Sequence, residues 1–115
     1  MSIALITGGS GHVGANLVRE LIAQDYKVRC IDFDGDHRAF EGFDVELIKG
    51  SVTDVDSLDK AFEGADVVFH TAAIISLERK NKDLIRSVNV EGTKNVCDMS
   101  LKHNIQKLIH LYVNH

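Results

Sequence analysis

Residues 3–14 read Ile3-Ala4-Leu5-Ile6-Thr7-Gly8-Gly9-Ser10-Gly11-His12-Val13-Gly14. A short apolar run rich in β-branched residues is followed by a cluster of glycines and then by the start of a helical pattern. Val13, Leu17 and Leu21 recur at spacing four, with Val18 and Ile22 beside them, so a helix over His12–Ala23 presents one apolar stripe. Strand, glycines and amphipathic helix in that order form the setting of a phosphate-binding turn. Gly8 and Gly9 permit positive φ, Gly11 lets the backbone approach a pyrophosphate, and Gly14 lets the helix pack close to the strand. The free N–H groups of Ser10, His12 and Val13, at the positive end of the helix, would then face the anion. A ligand-free turn would need only one glycine, which weighs against that simpler reading.

Working outward, Lys27–Asp32, Val45–Lys49, Asp66–His70 and Lys107–Leu111 read as further strands, mostly apolar without clean alternation, as expected of strands covered on both faces. Helical patterns separate them. A short helix follows Thr53, which is placed to cap it with Asp56 three residues on, and Gly64 stands where a left-handed residue would end it. A longer helix over Lys82–His103 carries Ile85, Val88, Val96 and Met99 on one face, and Gly92 falls on that same face. A mid-helix glycine costs about 1 kcal/mol against alanine, which favours a close approach to the sheet or a ligand over mere tolerance. The pattern predicts an α/β fold of Rossmann type: five parallel strands in order 3-2-1-4-5, helices on both faces, no sixth strand, and one domain over 1–115.

Composition narrows the partners. With 115 residues, a net charge of -4, 44% hydrophobic and 26% charged residues, the chain reads as an ordinary globular protein. No basic patch suggests a nucleic-acid groove, and the longest apolar stretch, Ala65–Ile75, is interrupted by His70 and Thr71, so no membrane span is expected. The start lacks a basic region and a cleavage site, which predicts a cytoplasmic protein. Cys30 and Cys97 read as small buried hydrophobes, and the spacing of the six histidines suggests core or surface positions and no metal site.

Asp32 closes the second strand 18 residues after Gly14. A carboxylate there can accept both ribose hydroxyls of an adenosine and would repel a 2′-phosphate, favouring NAD over NADP. His37 and Arg38 lie just downstream and could reach a phosphate if Asp32 or Asp34 turned away. A solvated loop face is the default for Asp34, Asp36, His37 and Arg38.

Three motifs, Gly8 through Gly11 to Gly14, His70-Thr71-Ala72-Ala73 after the fourth strand, and Asn89-Val90-Glu91-Gly92-Thr93 in the long helix, resemble the extended short-chain dehydrogenase/reductase family. The nearest likeness is to its dihydroflavonol reductase and 3β-hydroxysteroid dehydrogenase group, with sugar-nucleotide epimerases more distant. The resemblance implies that Thr71, Ala72 and Ala73 run beside the adenosine ribose and diphosphate. Simple core packing is the alternative for the two alanines. It implies that Asn89 lies under the nicotinamide half, where a solvent-facing helix position is the alternative. Gly50-Ser51-Val52-Thr53-Asp54 resembles the family's adenine-binding loop but has Ser51 where an Asp is usual, implying weaker base recognition with Val52 packed on adenine.

The family's reaction is hydride transfer to or from nicotinamide, with a Tyr-x-x-x-Lys pair as acid or base and a serine after the fifth strand. Here Leu111 is followed by Tyr112-Val113-Asn114-His115, and Tyr26 has Cys30 four residues on, so neither tyrosine supplies that pair. The expectation is a dinucleotide-binding half that is inactive alone. A sensing or partner-completing module, or a relic that binds nothing, stands as the alternative. An apolar fifth-strand edge left unpaired is expected to form a homodimer.

Overall fold

The computed structural model describes residues 2–7, 12–32, 42, 44–73 and 82–113, and only the backbone path at 12–15, 32, 72–73, 82–89 and 111–113. Its elements run β1 (Ile3–Thr7), α1 (His12–Ala23), β2 (Lys27–Asp32), β3 (Val45–Lys49), α2 (Val55–Phe62), β4 (Val67–Ala73), α3 (Lys82–Lys102) and β5 (Lys107–Val113). The strands form one sheet in order β3-β2-β1-β4-β5, and every adjacent pair is parallel. This is the expected Rossmann-type order.

Successive side chains of a strand point to opposite faces, and the sheet sorts its apolar residues accordingly. Leu5, Ile31 and Val68 join Leu58, Ala61 and Phe62 of α2 and Val96 and Met99 of α3 in one buried cluster. Ala4, Ile6, Val28 and Cys30 join Val18 and Leu21 of α1 in the other. Helices therefore cover both faces. The two edge strands depart from the expected two-sided burial: in β3 Val45, Leu47 and Ile48 are half-buried while Glu46 and Lys49 are exposed, and in β5 Leu108 and Ile109 are half-buried while Lys107 and His110 are exposed.

The helix ends show how local chemistry sets the chain path. Asp25 and Asn104 take positive φ of 65° and 53°, and each is followed by an N–H that reaches back five residues, Tyr26 to Leu21 at 3.0 Å and Ile105 to Ser100 at 3.0 Å. These are left-handed helix stops built on the two non-glycine residue types that adopt that conformation most readily. Gly64 ends α2 with φ of 78°, as its position predicts. Arg29 of β2 adds a second device. Its guanidinium donates to the carbonyls of Ala61 at 2.8 Å and Glu63 at 2.6 Å, satisfying the negative end of α2, and also pairs with Glu46 at 3.0 Å. On the same side of the sheet, Asp59 of α2 accepts from Lys102 at 3.0 Å and lies 2.7 Å from His103 Nε2.

Several sequence expectations are corrected. Thr53 does not cap α2: the boundary residue is Asp54, whose side chain makes no capping bond. The Thr53 hydroxyl and N–H are both engaged by Ser51 Oγ, at 2.9 and 3.2 Å, a local turn that takes the residue away from the helix end. Residues 70–73 do not follow the fourth strand but lie within it, because β4 continues to Ala73 in register with Val113 of β5. Cys97 is exposed; it sits one position past buried Val96, rotated off the face of α3 that meets the sheet.

Gly92 makes the expected close approach, though to the connection after β3 and not to the sheet. A Cβ on Gly92 would lie 2.4 Å from Val52 Cγ2. Gly92→Ala is therefore expected to destabilise the protein by roughly 1 kcal/mol, overpacking outweighing the gain in helix propensity. Adding Val52→Ala should recover most of that loss. Additive effects in a urea-denaturation double-mutant cycle would contradict the contact.

Candidate dinucleotide site at the carboxyl ends of the strands

Because all five strands are parallel, their carboxyl ends lie at one edge of the sheet, and the residues singled out in the sequence gather there by topology. Thr7 ends β1, Asp32 ends β2, Ser51 and Val52 follow β3, and Thr71, Ala72 and Ala73 close β4. β1 and β4 are adjacent, although β1 leads through α1 to β2 on the opposite side. Strand order thus reverses beside β1, and open α/β sheets bind ligands in the crevice outside such a point.

Gly8, Gly9, Ser10 and Gly11 lie outside the described residues. His12, Val13 and Gly14 form the first turn of α1, as expected, and that turn contains no acidic residue to oppose an anion. Asp32 is placed by its backbone, paired with Lys49 of β3. Asn89 falls within α3, and the side chains of Asp32, Ala72, Ala73 and Asn89 are outside the description.

Ser51 and Val52 are better defined. Ser51 Oγ bonds within its own turn, as above, and the Val52 carbonyl accepts from Asn95 Nδ2 of α3 at 2.9 Å. The Val52 side chain packs on the cluster beneath α2 and α3 and against Gly92. The turn of α3 over residues 92–95 thereby holds the connection that the sequence likens to an adenine loop.

The sequence did not disclose a polar relay inside the sheet. Thr7 and His70 are register partners in the β1–β4 ladder and are 1% and 4% exposed. Thr7 Oγ1 lies 2.6 Å from His70 Nδ1, and His70 Nε2 lies 3.1 Å from Thr93 Oγ1 of α3. Thr71 Oγ1 donates to the Thr7 carbonyl. Both ring nitrogens are therefore partnered, as a buried imidazole requires, and a neutral ring serves as donor to one hydroxyl and acceptor from the other. Parallel pairing aligns Thr7 with His70, but the register linking two residues so distant in sequence cannot be read from either strand alone.

Burial lowers the His70 pKa from 6.5 to about 4, helped by the neighbouring His110, whose ring centroid is 4.9 Å away. The folded pKa lies below the unfolded one, so the stability tied to a neutral ring is complete above the unfolded value. It is lost as pH falls from about 6.5 toward about 4. Urea unfolding at about pH 7 and about pH 4.5 should show His70→Gln losing less stability between the two than the unsubstituted chain, by roughly 2 kcal/mol. Equal losses would mean that the ring takes up its proton as readily in the fold as in the unfolded chain.

Comparison with known proteins places this geometry. The chain is 36% identical over 107 residues to sterol demethylase protein B of Methylococcus capsulatus, covering 92% of this chain and 33% of that protein. It superposes with a TM-score of 0.79 and 30% identity on a short-chain dehydrogenase/reductase superfamily protein from Agrobacterium tumefaciens with bound NAD, covering 94% of this chain and 31% of that one. Against the Bordetella bronchiseptica enzyme WbmG in complex with NAD the TM-score is 0.78 at 30% identity, over 94% of this chain and 36% of the enzyme. The chain spans about a third of the length of the relatives it matches. The family model for 3-beta hydroxysteroid dehydrogenase/isomerase matches residues 5–113, nearly the whole sequence. Carried by that match and by the shared sheet order, the conclusion is that the chain belongs to the 3-beta hydroxysteroid dehydrogenase/isomerase family, within the extended short-chain dehydrogenases.

Proposed function

We propose that these 115 residues form the dinucleotide-binding part of an NAD-dependent oxidoreductase and bind NAD without turning it over by themselves. The observation that carries this reading is the position of Thr7: the central strand ends there, beside the reversal of strand order, and leads directly into the glycine segment and α1. The first turn of α1 is free of carboxylates, and small residues, Ala72 and Ala73, end the neighbouring strand, so both flanks suit a diphosphate. The two relatives of known structure named above carry NAD.

In this reading Gly8, Gly9, Ser10, Gly11, His12, Val13 and Gly14 hold the diphosphate through backbone N–H groups. Asp32 accepts the adenosine ribose hydroxyls, Ser51 and Val52 border the adenine, Thr71 to Ala73 flank the diphosphate, and Asn89 supports the nicotinamide half. The bound cofactor supplies hydride transfer. Tyr26 has Cys30 four residues on, so no Tyr-x-x-x-Lys pair lies within these 115 residues and acid–base chemistry is not assigned to them.

Calorimetric titration of the chain should show saturable NAD binding, at least tenfold tighter than NADP if the Asp32 carboxylate repels a 2′-phosphate. Gly11→Val should abolish it, by filling the space that the diphosphate needs. Asp32→Ala should weaken NAD by roughly tenfold and narrow its advantage over NADP. Absence of heat with either nucleotide would leave a fold without a ligand and refute the proposal.

For the isolated chain we also infer pairing of two copies through β5, which ends the strand order beyond β4 among the described residues and so stands at an edge of the sheet. Light scattering at about tens of micromolar, where weak strand pairing is populated, should give twice the chain mass. A monomer would overturn that inference and leave the binding proposal intact.

A further inference from the structure

The dinucleotide reading treats the glycine segment as the contact with the diphosphate, but a backbone segment holds an anion only where its starting point is fixed. Thr7 is the residue from which that segment departs, and its polar atoms are committed to neighbours: the hydroxyl to His70 and the carbonyl to Thr71. The other side of the His70 ring reaches Thr93 on α3. A side-chain chain of three residues thus crosses from the end of the central strand, through the adjacent strand, to a helix on one face.

The same turn of α3 meets the connection after β3. Gly92 lies against the Val52 side chain, and Asn95 Nδ2 donates to the Val52 carbonyl at 2.9 Å. Two neighbouring positions of one rigid helical turn therefore hold two separate strand exits. One leads into the glycine segment and the other into the Ser51–Asp54 connection.

We propose that His70 and Thr93 are positioning residues for the dinucleotide site: acting through Thr7 they fix the start of the glycine segment, while Asn95 fixes the adenine-side connection from the same turn of α3. The spacing between the diphosphate and adenine ends of the site is then set by one helical turn. This rests on the dinucleotide reading for its ligand, but the restraint on the two strand exits exists in the unliganded chain and can be measured there.

The test compares the chain with Thr93→Val, which keeps the side-chain shape and removes the hydroxyl, Thr93→Ser, which restores the hydroxyl, and Asn95→Ala. Amide hydrogen exchange is followed in the unliganded proteins, and NAD affinity is measured by calorimetry. In Thr93→Val, exchange should quicken at residues 7–11 but not at 51–54, and NAD should bind roughly tenfold more weakly, the effect of losing one buried hydrogen bond. Thr93→Ser should return both readouts to within about twofold of the unsubstituted chain. Asn95→Ala should quicken exchange at 51–54 and leave 7–11 unchanged.

Unchanged exchange at residues 7–11 in Thr93→Val overturns the proposal, as does weaker NAD binding that serine fails to rescue, because loss of packing alone would produce that. Should the unsubstituted chain bind no NAD, the functional reading fails, and the exchange pattern still decides whether Thr93 restrains the exit of β1. His70→Gln is the check on folding: if Thr93→Val unfolds, quickened exchange confined to 7–11 in His70→Gln upholds the relay, and uniform quickening refutes it.

Discussion

Everything in this chain is arranged around a central strand that must be covered on every side. β1 pairs with β2 on one edge and β4 on the other, and Ala4, Leu5 and Ile6 are fully buried between two layers of helix. A strand so enclosed has no water to solvate its backbone, so its N–H and C=O groups must be paired in the ladders. The ladder extends past the strand start: Asp66 receives the Ile3 N–H on its carboxylate at 2.7 Å and returns its own N–H to the Ile3 carbonyl at 2.9 Å. At the other end Thr7 brings the strand's only side-chain hydroxyl into the interior, and His70 and Thr71 of β4 answer its polar atoms. Burial therefore dictates pairing, and pairing locates the point where the glycine segment begins.

Much of the architecture was legible because its signals are local. β-branched runs, the spacing of Val18 and Leu21 on α1, and Gly64 each act over a few residues, and together they yield the element order and, with the handedness of crossovers, the strand order. The candidate site was legible for the same reason: a parallel sheet sends all its carboxyl ends to one edge, so Thr7, Asp32, the Ser51 turn and Ala73 converge without knowledge of any side-chain contact.

What escaped the sequence is non-local. The Thr7–His70–Thr93 relay joins three elements, and its members look like an ordinary strand threonine, a core histidine and a helix threonine until the register is known. Gly92 signalled a close approach but not its partner, since Val52 lies across a tertiary contact. Thr53 had the right residue type at nearly the right place for a cap, and lost the role to a competing bond from Ser51 two residues earlier. Cys97 was misjudged because small apolar residues are buried on average, whereas helical phase decides each individual position.

The three helix stops at Asp25, Gly64 and Asn104 share a position that carries a wider meaning. Each lies just before a strand begins, at the end of the sheet opposite the candidate site, and each is a tight left-handed reversal whose backbone bonds leave little room for extra residues. By contrast, the connection leaving β3 over residues 50–54 turns through the Ser51 and Thr53 side chains and takes no positive φ. The molecule thus separates an end that conserves its shape from an end that can be rewritten. Insertions and exchanges that alter what is recognised can accumulate at the strand exits while the returns keep the sheet in register, and one framework can diverge into many specificities without refolding.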